Sequence, residues 1–382
     1  MAVKRILLAL IAVSLSSVAA ADVFDLFSSD KLTDGSRFAF APSKSDKSIV
    51  AIDAADHKVA AIIEIPHIPG SVLPTNELDL LVATNPDNNS ATIINLYNQE
   101  VIGELDLGMR PDVVLPNAYD RFVTFGSADG SVSTWDLSSS QQVLRIDGLE
   151  SALSLTFSFD GSHLFVVEES RKQISVIDMA RREKVAEIPL GGAADPDAEV
   201  SALSRSADGY TGYVSITSEN RIVVIDLIDR KAVESIPVGK NPIRPFSTGD
   251  NRFVLVPNRG DESLTVLAAR TRNVVATVAT GIEAREVNTG WLDTVAFVMP
   301  ASGDKIAVID LQGFKAESPI KLPGRSDDGI VTSDAKTLLT AIIETGQVAV
   351  IDVQSRKISS LFDSGTGALE GTEIALSNNV CH

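Results

Sequence analysis

Eight copies of one short phrase, spaced close to 42 residues apart, restrict this chain to architectures built from a repeated unit. Each copy runs through β-branched residues to a hydrophobic residue and then, in most copies, Asp. The phrase appears as Val50-Ala51-Ile52-Asp53, Thr92-Ile93-Ile94-Asn95, Ser133-Thr134-Trp135-Asp136 and Ser175-Val176-Ile177-Asp178. It returns as Val223-Val224-Ile225-Asp226, Thr265-Val266-Leu267-Ala268, Ala307-Val308-Ile309-Asp310 and Ala349-Val350-Ile351-Asp352. Successive fourth positions lie 42, 41, 42, 48, 42, 42 and 42 residues apart. A short polar turn then leads into a second extended run, as in Lys58 to Ile62, Lys184 to Ile188 and Lys231 to Ile236. The Asp carboxylate is suited to accept hydrogen bonds from the backbone N–H groups just ahead of it and so close that turn.

Between these hairpins lie a more polar strand, a turn and another apolar strand. Ser201 to Ser204 precedes Tyr213 to Ile216, and the connecting turns Ala207-Asp208-Gly209 and Phe159-Asp160-Gly161 are strong hairpin signals. Four strands, A to D, in about 42 residues match one blade of a β-propeller and are too short for helices. Runs such as Ile222 to Ile225 lack alternation, as strands covered on both faces by neighbouring blades should. The chain ends complete one another. Residues Thr33 to Phe40 read as an A–B turn and strand B without a strand A, and Gly371 to Asn378 reads as a strand A with no successor. The expectation is an all-β, eight-bladed β-propeller closed by a composite blade from both termini; seven blades with one irregular repeat is the alternative. Closure removes the exposed strand edge that an open ring would leave.

The phrases ending in Val-Ile-Asp, followed by a basic residue and another Val/Ile run, resemble the YVTN repeat family of bacterial propellers over about residues 36–376. Asn95 and Ala268 depart from the pattern. That resemblance implies the fold. It leaves function open, because the family includes binding proteins, a sugar-lactone hydrolase branch and subunits of redox enzymes.

The first residues read as an export signal: Lys4 and Arg5, an apolar run from Ile6 to Leu15, then small residues to Ala21. The expected organisation is a signal peptide over 1–21, one propeller domain over 22–377 and a C-terminal tail over 378–382, in the periplasm and with no membrane span after cleavage. Loss of Lys4 and Arg5 leaves 31 basic and 51 acidic side chains, a formal charge of −20. Such a chain repels phosphate backbones, which argues against nucleic acid as a partner. The single cysteine, Cys381, cannot form an internal disulfide.

Recognition is expected where loops depart from the repeat or carry charge. The longest departure is the D–A loop 191–199, with Asp195, Asp197 and Glu199; it reads either as a partner-binding element or as a tolerated insertion. Charged residues also precede the channel-lining A strands: Arg110, Asp112, Glu199, Arg244, Arg285, Arg325, Asp327, Asp328 and Glu373. Arginines from four blades suit an anionic ligand; a solvated rim of alternating charges is the other reading. No Gly-x-Ser-x-Gly, His-Glu-x-x-His, phosphate loop or Cys-x-x-Cys-His motif occurs. Cys381 and His382, with His57 in a C–D turn of the closing blade, form a candidate zinc or copper set, the alternative being a plain tail. The leading functional expectation is a non-catalytic binding or scaffold protein for a protein partner or small ligand. An enzyme or enzyme subunit (a lactone hydrolase, or the propeller of a quinoprotein or cytochrome system) and a metal carrier are the alternatives.

Overall fold

The computed structural model describes residues 31–382 except 35–36, 76–77, 118–120, 193–196, 198, 291, 327, 368–373 and 377–382. The expected signal peptide and tail, with Cys381 and His382, lie outside the described residues. Eight antiparallel sheets form a ring, each running from strand A at the channel to strand D outside. Blades 1 to 7 span 72–106, 113–146, 155–189, 204–237, 246–279, 284–321 and 330–363. The closing blade joins both ends of the chain, as expected: Ala375–Leu376 is its strand A, beside Phe38–Ser43, Ser48–Asp53 and Lys58–Glu64. Phe40 pairs with Ala375 and Ala39 with Leu376. Gly367 N–H adds a bond to Asp46 Oδ2 at 3.2 Å across the same closure.

The repeat phrase is strand C. Its Asp closes the C–D turn as the local chemistry requires: Asp226 Oδ1 accepts from Ile228 N at 3.0 Å and Asp229 N at 2.8 Å. Asn95 does the same for Tyr97 N at 2.8 Å. Four residues on, each turn uses a left-handed residue, among them His57, Gln99, Arg182, Arg230 and Arg356 at φ between 54° and 62°. His57 therefore occupies an ordinary turn position of the repeat. In blade 6 strand D is split into Lys315–Ala316 and Ile320–Lys321, because Pro319 has no N–H to offer the ladder.

Both faces of the B and C strands are apolar because each sheet is packed between two others. One hydrophobic cluster fills each seam, from the closing blade and blade 1 around to blade 7 and the closing blade. Phe40, Phe165 and Phe297 are fully buried at one ladder position of three different B strands. Burial of one such ring stabilises the ring by roughly 1.5–3 kcal/mol. Among the described residues no helix is long and apolar enough to cross a membrane.

Candidate ligand-binding mouth

Antiparallel order within every blade puts the D–A and B–C loops on one face of the ring and the A–B and C–D turns on the other. The D–A loops lead directly into the A strands, so the residues just before each A strand rim the channel. Ladder register identifies equivalent residues. Leu73, Leu115, Thr156, Ser204, Phe246, Asn288, Ile330 and Ala375 are the A-strand partners of the same B-strand position around the ring. Two residues nearer the D–A face stand Ser71, Val113, Ser154 and Ala202 on blades 1 to 4, and Arg244, Glu286 and Asp328 on blades 5 to 7. Charge is confined to one sector of the rim at this position. Glu373, which would continue it on the closing blade, lies outside the described residues.

The four candidate arginines are not equivalent. Arg110 donates from Nε to Asp112 at 2.7 Å and from a terminal nitrogen to Asp87 at 3.1 Å. Arg325 is held by Glu344 at 2.6 Å. Arg244 and Arg285 are exposed, and neither has an ion-pair or hydrogen-bond partner for its side chain among the described residues. Those two sit on neighbouring blades, 5 and 6. Two exposed guanidinium groups held in no salt bridge among the described residues suit carboxylate or phosphate oxygens.

Beside Arg285 lies a group that sequence reasoning missed. Glu286 on strand A of blade 6 and Asp328 in the loop entering blade 7 converge on one donor. Gly329 N–H is 3.2 Å from Glu286 Oε1 and 2.7 Å from Asp328 Oδ1. Asn288 Nδ2 also donates to Glu286 Oε1 at 3.2 Å, and to Gly329 O at 3.0 Å across the seam. Burial pushes the Glu286 carboxyl up. Burial and then the Glu286 charge push Asp328 well above the usual carboxylate range. The pair favours holding a proton between them, as close carboxylates do. Asp328 was visible in the sequence as a rim charge; Glu286 was hidden because it lies within the strand, and only the register aligns it with Arg244 and Asp328.

The opposite sector is acidic and differently organised. Glu168 at the end of strand B in blade 3 is fully buried. Burial raises its pKa, but hydrogen bonds from Ser175 and Gln173, the Glu150 N–H and the Arg171 charge outweigh that and hold it below the usual range. Glu169 is pushed up by partial desolvation of its carboxyl and then by Glu150 and Glu199. The insertion loop begins with Gly191 and Gly192, both left-handed at φ 84° and 86°, a conformation that glycine adopts without strain. Arg221 grips its stem through Leu190 O at 3.2 Å, and Lys172 crosses from blade 3 to Glu219 at 2.8 Å. Asp197 and Glu199 are exposed on this loop, while Asp195 lies outside the described residues.

The histidines lie elsewhere. His57 and His163 are on the A–B/C–D face, where His163 Nε2 meets Arg230 at 2.7 Å. His67 Nε2 is 3.1 Å from Glu104 Oε1, on the outermost strand of blade 1. Among the described residues no three His, Cys, Asp or Glu side chains are grouped to hold a metal ion. The set expected around His57 has its two other members, Cys381 and His382, outside the described residues.

Residues 159–377, more than half of the chain, match the family described as Cytochrome D1 heme domain. No curated protein matches the chain in sequence. Among solved structures it is similar to the dihydro-heme d1 dehydrogenase NirN in complex with DHE, with a TM-score of 0.72 at 17% identity, over 88% of this chain and 74% of that one. It is similar to apo AztD from Citrobacter koseri, with a TM-score of 0.66 at 12% identity, over 88% of this chain and 97% of that one. Kuenenia stuttgartiensis hydrazine synthase gives a TM-score of 0.55 at 17% identity, over 74% of this chain and 95% of that one. At these identities the likeness to solved structures is one of fold.

Proposed function

The chain belongs to the Cytochrome D1 heme domain family, and we propose that it is an exported, periplasmic propeller that binds a carboxylate-bearing tetrapyrrole at its D–A/B–C mouth. The observation that carries this reading is the exposed pair Arg244 and Arg285 on adjacent blades, neither of them held in a salt bridge among the described residues. The repeat phrases resemble the YVTN family, while the family matched over residues 159–377 is the Cytochrome D1 heme domain. The fit to a haem is partial. Guanidinium groups suit the carboxylates at the edge of the macrocycle. Iron takes His, Cys, Met or Tyr as its protein ligand, and the described histidines lie on the other face or on the outer rim. Recognition is therefore assigned to the periphery of the macrocycle, and no step is derived through iron.

Coproporphyrin III, a metal-free tetracarboxylate, and haem are the probes. Fluorescence quenching by the mature protein should saturate with the first, and haem should bind comparably. Removal of two charge-assisted contacts in an Arg244→Ala, Arg285→Ala double variant should weaken both by about tenfold or more. Absence of saturable binding, or equal binding by the double variant, overturns the reading.

A second reading has its own support in the acidic side of the mouth. Exposed Asp197 and Glu199, with Glu169 and Glu150 beside them, form a surface suited to a basic protein partner on the insertion loop. On this reading the propeller is a scaffold that holds the ligand on one sector and the partner on the other.

A further inference from the structure

The carboxyls of Glu286 and Asp328 meet at the seam of blades 6 and 7, next in the chain to Arg285. Their convergence on the single Gly329 N–H places two acids where one backbone donor serves both. The loop that carries Asp328 is pinned: Ser326 Oγ donates to Asp328 O at 3.2 Å and Thr340 Oγ1 donates to the same oxygen. Asn288 fixes Glu286 from its own strand. Neither acid can swing away without breaking these bonds. We propose that ligand binding at the mouth is coupled to protonation: when an anion neutralises Arg285, the Glu286–Asp328 pair takes up a proton. This rests on the tetrapyrrole reading and adds its regulation.

The charged groups acting on the pair are few. Arg285 is the nearby cation, and its charge opposes protonation of both acids. Arg325, on the loop that bears Asp328, is engaged by Glu344, and Arg259 of blade 5 faces Glu283 at 3.9 Å. Asp327 lies outside the described residues. An anion that settles on Arg285 cancels the favourable charge that Arg285 lends the ionised pair. The carboxyl that is ionised in the free protein then takes up a proton more readily. The bound state carries more protons than the free state, so affinity rises as pH falls and declines as pH rises. The window lies above the ordinary carboxylate range, because both groups are already raised. Uptake of a full proton would change affinity by about tenfold per pH unit, the upper bound for one coupled site.

Two measurements test this. Calorimetry of coproporphyrin III binding in buffers of different ionisation enthalpy reads the protons taken up. Uptake by the parent, lost in Glu286→Gln and separately in Asp328→Asn with binding retained, is the expected result. Buffer-independent heats in the parent overturn the coupling while leaving the ligand reading intact. The second measurement needs no ligand. The infrared carboxylic-acid band, assigned by its loss in Glu286→Gln or Asp328→Asn, is followed with pH in the parent and in Arg285→Gln. The band should persist to higher pH in Arg285→Gln, since that variant mimics a neutralised arginine. Identical titrations in the two proteins overturn the coupling whether or not a porphyrin binds. Failure of porphyrin binding together with a shifted band would instead sink the ligand reading and keep the Arg285–carboxyl link.

Discussion

Blades 1 to 4 and blades 5 to 7 share one backbone plan and differ at the rim of the channel. At the same ladder position the first group carries Ser71, Val113, Ser154 and Ala202, and the second Arg244, Glu286 and Asp328. One layer deeper the difference disappears, because every seam is filled by Val, Ile, Leu and Phe from the B and C strands. Packing sets the seams, whereas the rim position sits where strand A meets its loop and constrains the fold little. Charges gathered there, with Glu286 and Asp328 raised by burial despite the Arg285 charge, cost stability. On the proposed function they serve recognition.

If the sectors differ only at the rim, core truncation should hurt both alike. Phe165→Ala in blade 3 and Phe297→Ala in blade 6 should each cost about 3–5 kcal/mol, since both rings are fully buried at equivalent positions. Denaturant melts check this. A gap between them of more than about 2 kcal/mol would break the comparison.

The two sectors should respond to pH in opposite senses. Glu168 is held below the usual range, so its stabilising effect is present above its unfolded-state pKa and is lost as pH falls through its lower folded value. Asp328 and Glu286 are raised, so the fold is most stable where they are protonated and loses stability as pH rises through their folded values. Glu168→Gln should cost on the order of 1–3 kcal/mol at neutral pH and flatten the acid limb of the stability profile. Asp328→Asn should flatten the alkaline side instead. Thermal melts across pH would show a single shared limb if the sectors are electrostatically alike.

Arginines that are already paired should matter less for an anionic ligand than those that are not. Arg244→Ala with Arg285→Ala should weaken coproporphyrin III by about tenfold or more. Arg110→Ala and Arg325→Ala, whose partners are Asp112, Asp87 and Glu344, should have the smaller effect. The reverse order would overturn the assignment of the ligand to Arg244 and Arg285.

Charge reversal on the insertion loop is the mildest change. Asp197→Lys with Glu199→Lys should alter stability by no more than about 0.5 kcal/mol, because both side chains are exposed. A pull-down from periplasmic extract should lose basic partners. Unchanged recovery would remove this loop as a recognition element and leave it a tolerated insertion.

The repeat alone pointed to the fold, to the closing blade and to eight blades over the alternative of seven, which the eight sheets of the ring bear out. Those follow from local chemistry that recurs at fixed spacing: β-branched strands, a turn-closing Asp, hairpin Gly, and ends that complete each other. The candidate arginines were also legible, as charges placed before A strands. What the sequence could not separate was the paired from the unpaired among them, since Arg110 finds Asp87 from a B–C loop of the preceding blade and Arg325 finds Glu344 across its own blade. Nor could it show Glu286, because a glutamate inside a strand has no local signature. Only the ring sets Glu286 against Asp328, 42 residues away in the chain, by bringing two A strands side by side around a channel so that both acids meet one N–H. Local pattern specifies each blade; the meeting of side chains between blades is a property of closure.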